Sequence, residues 1–280
     1  MTDLSRYTTL GTGGPARDFA QPSSIAELEE LLQRGENVAV VGLGSNLLVA
    51  DDGVDALVLH LEGELAAVST LELCLRAGGG AANAVALHRA REAGLGGFEF
   101  ACAIPGTIGG GVWMNAGAYG SDFASVLQRA LVATADGTGW LTREELGLSY
   151  RHSDLQHGHV VVEVELLLHA RPSAEIKAEV RELNAKRKAA QPTNKRTFGS
   201  VFKNPDHELT AGRMLEACGL KGHRIGGAQI SPKHANFIEN AGGARTEDAL
   251  ALMREAIRRA REQFGVELQH EVEFLGDIAL

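Results

Sequence analysis

The 280-residue chain carries 27 Lys and Arg against 36 Asp and Glu, a formal net charge of −9 with a pI near 5.6. That balance argues against a general nucleic-acid binder, because phosphate-backbone affinity rests on clustered basic residues. With 44% hydrophobic and 22% charged residues and no apolar run long enough to span a bilayer, the composition is that of a soluble globular protein with no membrane partner.

Residues 1–10 hold no apolar stretch of the secretory type, so a cytoplasmic location is expected. The three cysteines, Cys74, Cys102 and Cys218, are widely spaced and match neither a disulfide framework nor a CxxC metal site. In chain order, the first helical signal is Ser24 followed by Glu27, a capping-box pattern, with Ile25, Leu28, Leu31 and Leu32 on one face and Gly35 beyond the end. A strand over 38–41 then runs into Gly42-Leu43-Gly44-Ser45-Asn46, followed by apolar runs at 47–49 and 54–61. A nicotinamide-type Rossmann site needs GxGxxG opening a helix. Here Leu-Leu-Val continues as strand, leaving an anion-binding nest or a simple hairpin turn as the two readings.

Residues 71–77 read as a strand ending at Gly78-Gly79-Gly80, and residues 81–93 as a helix stopped by Gly94. The segment that follows, FEFACAIPGTIGGGVWMNAGAYG at 98–120, is too glycine-rich for an ordinary helix or strand. Twelve of the 34 glycines lie between Gly78 and Gly120. Glycine lets backbone N–H groups approach a bulky ligand, and Pro105 pre-sets a bend before Gly106; the segment is either a cofactor-holding loop or a set of tight turns on a sheet. Apolar runs at 131–135 and 160–168 complete a mixed α+β pattern, the second run reading as buried.

Between them lies Leu148-Ser149-Tyr150-Arg151-His152-Ser153. The nearby His152, His157 and His159 lack the Cys or paired carboxylates of a metal set, so no metal is expected. Arg151 can grip a carboxylate through two parallel hydrogen bonds or serve in a surface ion pair. After Pro172 the composition changes and a helix carries Ile176, Val180 and Leu183 into a basic end at Lys186, Arg187 and Lys188, with Lys195 and Arg196 beyond. TFGSVFKNP then sets the hydroxyl of Ser200 among Gly199, Lys203 and Asn204. That is a proton donor among anion contacts or a strand end with an Asn-Pro turn. The absence of GxSxG sets aside a hydrolase elbow. A short helix over 211–218 leads to GLKGHRIGGAQISPKHANFIEN, which gathers glycines with Arg224, Gln229, His234 and Asn236 into one region read as a substrate-facing wall. Residues 246–264 form the clearest helix, and 266–274 alternate as a final strand with Glu271 on the polar face.

Six ordered stretches, VGLGSNLLV, FEFACAIPGTIGGGVWMNAGAYG, SYRHSDL, TFGSVFKNP, GLKGHRIGGAQISPKHANFI and LQHEVEFLG, closely resemble the UDP-N-acetylenolpyruvoylglucosamine reductase (MurB) family, in the shorter of its two structural classes. The resemblance implies an α+β chain with an FAD-binding fold of the vanillyl-alcohol-oxidase type. It divides into FAD subdomains at 1–62 and 63–171 and a substrate-binding domain at 172–280. It implies NADPH-driven reduction of UDP-N-acetylglucosamine enolpyruvate to UDP-N-acetylmuramate by a monomer. Carried onto this sequence, it makes Arg151, Ser200 and Glu271 catalytic. Gly42, Gly44, Ser45, Asn46, Pro105, Gly106, Thr107, Gly110, Asn115 and Gly117 would hold FAD, and Lys203, Asn204 and His234 would face substrate. One departure is Ala190 before Gln191-Pro192, where many family members carry a phosphate-associated lysine. Another flavin oxidase or dehydrogenase of the same fold, acting on an alcohol or sugar, is the alternative, and a non-catalytic nucleotide-sugar binder is a third.

Overall fold

Local sequence signals fix most of the helices in the computed structural model, which describes residues 1–35 and 37–280. These are α1 (Ile25–Leu32), α2 (Asn83–Glu92), α3 (Ile108–Trp113), α4 (Ser173–Ala190), α5 (Ala211–Ala217) and α6 (Thr246–Phe264). At α1 the Ser24 hydroxyl accepts the Glu27 N–H at 3.2 Å, and the Glu27 carboxylate accepts the Ser23 N–H at 2.7 Å. One orphan donor of the first turn is thereby satisfied, and the chain entering the helix is tied down. At the far end of α6, Gly265 takes φ 67°, a left-handed conformation that costs glycine little.

The chain folds into two compact units. The first comprises Met1–Asp18, Gly44–Asp55 and Arg187–Leu280, the second Phe19–Leu43 and Ala56–Lys186.

The second unit is built on a five-stranded antiparallel sheet in the order Gly137–Thr142, Leu127–Thr134, Val160–Leu167, Cys74–Gly78, Val68–Leu71. Residues 71–77 are therefore not one strand. Glu72 turns the chain with φ 51°, and two short strands pair back on each other. On one face Leu75, Ala86, Ile108, Val112 and Phe123 join a core under α2 and α3. A second core sets Leu28 and Leu32 of α1 against Leu57, Leu59, Val160 and Val162. As its apolar run implies, the Val160–Leu167 strand is mostly buried. Its Glu165 is 6% exposed and is gripped by Arg129 at 2.6 Å and by Arg76. The Arg129 hydrogen bond, ahead of that from Arg76, holds this carboxyl below the usual range despite burial.

The first unit has a four-stranded antiparallel sheet in the order Thr197–Ser200, Phe237–Asn240, Ala228–Ile230, Arg224–Ile225. Phe198, Ile230 and Ile238 pack with Met214 of α5 and Leu250, Met253 and Ala256 of α6. In the same unit Leu47–Val49 pairs in parallel with Glu273–Leu275.

The expected strand over 266–274 is thus confined to its last residues. The backbone before them changes partner: Gln269 O accepts Lys203 N at 2.8 Å, Glu271 N donates to Val201 O at 2.9 Å, and Glu273 N donates to Asn46 O at 3.0 Å. A segment shared between two partners cannot keep one strand's alternation, and Leu268 and Val272 are its buried positions.

The N-terminus of α6 is capped at long range. Asp51 accepts the N–H groups of Thr246 at 2.9 Å and Glu247 at 3.1 Å, while Asp248 accepts those of Arg245 and Gly227, both at 3.0 Å. Asp51→Ala is expected to cost about 1–2 kcal/mol in urea unfolding. The Arg245 and then the Gly227 N–H hold the Asp248 carboxyl below its ordinary value of 3.8. Its contribution is therefore full above that value and lost as pH falls through the lowered one. Asp248→Asn should destabilise the chain in urea titrations near neutrality and make little difference once the Asp248 carboxyl of the unsubstituted chain is protonated.

Candidate active site

Three glycine-bearing stretches meet in the second unit. The strand Val38–Val40 delivers Gly42 against Thr107, where a Cβ on Gly42 would lie 2.9 Å from the threonine Cγ2 and closer still to its hydroxyl. Thr107 bridges Ala82, Ile108 N donates to Ala81 O at 2.8 Å, Gly109 N donates to Gly79 O at 2.8 Å, and Asn83 N donates to Gly106 O at 3.0 Å. Residues 79–83 and 106–109 therefore run side by side. The expectation that 98–120 would be non-helical fails at α3. Thr107 caps that helix by accepting Gly110 N, and Gly111 admits the Phe123 ring where a Cβ would collide with it. Glycine is there for close packing as much as for freedom.

Residues 79–83 were missed as part of this site. Their signal was the Gly78-Gly79-Gly80 run itself, since a Cβ on Gly79 would overlap the Val161 carbonyl.

In the same unit, Asn115 follows α3 with φ 38° and is 1% exposed. Its side chain is fully engaged: Nδ2 donates to Asp122 Oδ2 at 3.1 Å and to Ser149 O at 2.9 Å, and Oδ1 accepts Ala124 N at 2.8 Å. Gly117–Ala118 and Ser121–Asp122 form a hairpin through Tyr119, at φ 56°, and Gly120. The Tyr119 hydroxyl donates to Leu183 O of α4 at 3.0 Å. Arg151 sits in a turn closed by Ser149 and His152, which exchange backbone hydrogen bonds at 3.1 Å. It has φ 54°, donates Nη2 to Gly117 O at 2.9 Å, and lies 5.1 Å from the centre of the Tyr150 ring.

The first unit brings Asn46, Ser200 and Glu271 together through the main chain. Gly199, φ 85°, precedes Ser200, which pairs with Phe237. Next to it, Val201 O accepts Glu271 N, and the Glu271 carbonyl accepts Asn46 Nδ2 at 2.8 Å. Asn236, 4% exposed and read from the sequence as part of a polar wall, clamps the neighbouring Phe202, accepting its N–H at 3.0 Å and donating to its carbonyl at 2.8 Å. Gly44 and Ser45 also lie in this unit. Gly44 takes φ 60° and its carbonyl accepts Thr9 N at 3.0 Å, and the Ser45 carbonyl lies 3.3 Å from where a Gly199 Cβ would stand.

Of the expected substrate-facing residues, Lys203 follows this strand by its backbone bond to Gln269. Asn204 spends its Oδ1 on Ala211 N at 3.1 Å. His234 packs edge-on to Phe237 at 5.0 Å, and burial, then the charge of Lys221, pushes its pKa down from 6.5. Ala190 is the last residue of α4, and Lys233 Nζ reaches back to Lys188 O at 2.5 Å. Among the described residues no group of three or more His, Cys, Asp and Glu could hold a metal ion, and no helix is long and apolar enough to cross a membrane.

Comparison with known proteins decides the family. A family model for the FAD binding domain matches residues 17–142, and one for the UDP-N-acetylenolpyruvoylglucosamine reductase C-terminal domain matches 191–275. The chain is 43% identical to UDP-N-acetylenolpyruvoylglucosamine reductase 2 of Symbiobacterium thermophilum, over 98% of this chain and 90% of that one. The reductase of an Anaeromyxobacter species is likewise 43% identical, over 98% of this chain and 84% of that one. The chain belongs to the UDP-N-acetylenolpyruvoylglucosamine reductase family. A crystal structure of MurB from Thermus caldophilus superposes with a TM-score of 0.87 at 38% identity, covering 98% of this chain and 97% of that one. The α+β architecture with an FAD-binding fold follows.

The second unit's glycine region fits the dinucleotide expected of a MurB-family chain. Gly110 is exposed, and the space its Cβ would occupy has only Thr107 Oγ1 near it, at 3.6 Å, so the main chain is open to a bulky ligand while Gly79, Gly109 and Gly111 pack behind it. Gly42→Ala should push Thr107 away. We expect FAD affinity to fall about tenfold, the equivalent of roughly 1.4 kcal/mol. Flavin content and fluorescence titration of the apoprotein would show it, alongside a modest loss of thermal stability because Thr107 also caps α3.

Proposed function

We propose that this chain reduces UDP-N-acetylglucosamine enolpyruvate to UDP-N-acetylmuramate with NADPH as reductant and FAD as bound cofactor. The observation that carries the reading is near-full-length similarity to the reductases. The joining of the Ser200 strand, Glu271 and Asn46 by successive backbone and side-chain hydrogen bonds supports it. Residues 1–62 and 63–171 would serve the flavin and 172–280 the UDP-sugar, in a monomer acting in the cytoplasm. Gly42, Gly44, Ser45, Asn46, Pro105, Gly106, Thr107, Gly110 and Gly117 would hold FAD. When bound, FAD supplies the hydride chemistry linking NADPH to the substrate's methylene carbon.

The chain's own residues manage the charge and the proton. Addition at the methylene carbon builds negative charge on the neighbouring carbon and its carboxylate. Arg151 would bind that carboxylate through its planar guanidinium and stabilise the charge as it develops. Ser200 would give its hydroxyl proton to the carbon, completing addition of one hydride and one proton across the double bond. The ordinary serine hydroxyl is a weak acid, so the resulting alkoxide needs a cation or donor. Lys203, three residues along the same strand exit, is the candidate. Glu271 would complete the electrostatic arrangement, and Asn204 and His234, the latter with its pKa pushed down by burial, would contact the nucleotide sugar.

An anaerobic visible spectrum tests this directly. Flavin bands should bleach with NADPH and return on adding the enol ether; return only with oxygen would mean another substrate. Ser200→Ala should leave bleaching by NADPH within about twofold and slow reoxidation by the enol ether about 10²- to 10⁴-fold. Equal loss in both halves would remove Ser200 as the acid.

A further inference from the structure

We infer that Asn115 is a positioning residue for Arg151 and not a flavin contact. This rests on the reading of Arg151 as the group that meets the substrate carboxylate. Asn115 lies in the glycine-rich stretch proposed to hold the cofactor, yet its side chain turns inward. Both Nδ2 hydrogens are donated, to Asp122 and to Ser149 O, and Oδ1 accepts Ala124 N. An amide offers two donors and one carbonyl oxygen, so both donors are taken and the oxygen is engaged, at a residue 1% exposed.

The bond to Ser149 O matters most, because Ser149 opens the turn that carries Arg151. That turn is fastened on its other side as well: Ser153, 7% exposed, donates its hydroxyl to Trp113 O at 2.7 Å. Trp113 is the last residue of α3 and Asn115 stands two residues beyond it. The end of one helix therefore holds the Arg151 turn at Ser149 and at Ser153, while Arg151 Nη2 returns a bond to Gly117 O.

The turn needs fastening because Arg151 is left-handed at φ 54°, a conformation that costs an ordinary L-residue roughly 1 kcal/mol or more. Unfastened, its backbone would relax toward negative φ and swing the guanidinium away. Misplacement of such a clamp by about 1 Å can cost on the order of 10²-fold in rate.

The test is a double-mutant cycle of Asn115→Ala with Arg151→Ala, following each half-reaction by stopped flow and measuring FAD affinity of the apoprotein by fluorescence. Asn115→Ala is expected to slow reoxidation by the enol ether about 10- to 100-fold, to leave FAD affinity and reduction by NADPH within about twofold, and to add nothing further in the Arg151→Ala background. Additive effects in that background would overturn the inference, as would a loss of FAD affinity comparable with the rate loss. An Arg151→Ala protein that reoxidises at the normal rate would instead overturn the role given to Arg151 itself. Should Asn115→Ala not fold, Ser153→Ala, which removes only the outer fastening, carries the same cycle with a smaller expected loss of about 3- to 10-fold and the same opposing outcomes.

Discussion

The second unit depends on glycines that bring no side chain of their own to a close contact. At Gly79 a Cβ would overlap the Val161 carbonyl, and at Gly111 it would overlap the Phe123 ring. Those close approaches let α3 lie directly on the sheet. Gly109 N can then reach Gly79 O and Ile108 N can reach Ala81 O, which fixes the height and direction of the helix. Everything placed from its end inherits that position. Phe98, Phe100 and Phe123 pack edge-to-face below it, with ring centres 5.4 to 6.1 Å apart, so the floor is rigid aromatic packing and the top is bare backbone. A ligand-facing loop gains precision in this way because the part that must not move has no rotamers to lose.

Where the sequence was legible, the signal was local. The Ser24 and Glu27 pair, the apolar stripe of α6 and the unbroken valines of the Val160–Leu167 strand each state their structure within one short window. Where it was not, a distant partner or a steric contact decided. Residues 108–113 look too glycine-rich to be helical, yet Thr107 starts the helix and the packing surface demands small residues. Propensity is a weak prior, and here tertiary packing outweighs about 1 kcal/mol per glycine. The alternating pattern over 266–274 fails because the backbone trades partners within a few residues. At Glu72 no Gly, Asn or Asp announced the left-handed turn.

The same limit governs the candidate site. Its motifs were visible as stretches, but not which atoms of each stretch were spent. The family resemblance made Asn115 and Asn46 cofactor contacts by position. In the structure each amide is tied to protein: Asn115 to the Arg151 turn, Asn46 Nδ2 to the Glu271 carbonyl. Asn236, read as part of a polar wall, grips both polar groups of the Phe202 backbone. An amide that satisfies a buried N–H and a buried carbonyl at once is worth most where no water can replace it, and residue type alone does not reveal that setting.

A weak acid such as serine can serve in carbon protonation only if its hydroxyl is held where the charge appears, and here that placement belongs to the backbone. Ser200 lies between Gly199, whose φ of 85° sets the direction of the strand, and Val201, whose carbonyl and N–H are taken by Glu271 and Asn236 O. Its neighbour Phe202 is held by Asn236 and bridged to His270. With the flanking peptides fixed, the remaining freedom is rotation about one side-chain bond. Orienting a reacting group in this way supplies rate without stronger acidity. The same hydrogen bonds set the backbone of Glu271, whose carbonyl answers to Asn46. Tightening or loosening this one ladder therefore shifts the proposed acid and the proposed carboxylate together, which explains why the chain commits its last strand, joined to Leu47–Val49 across more than 220 positions, to a place where a local turn would have been easier to form.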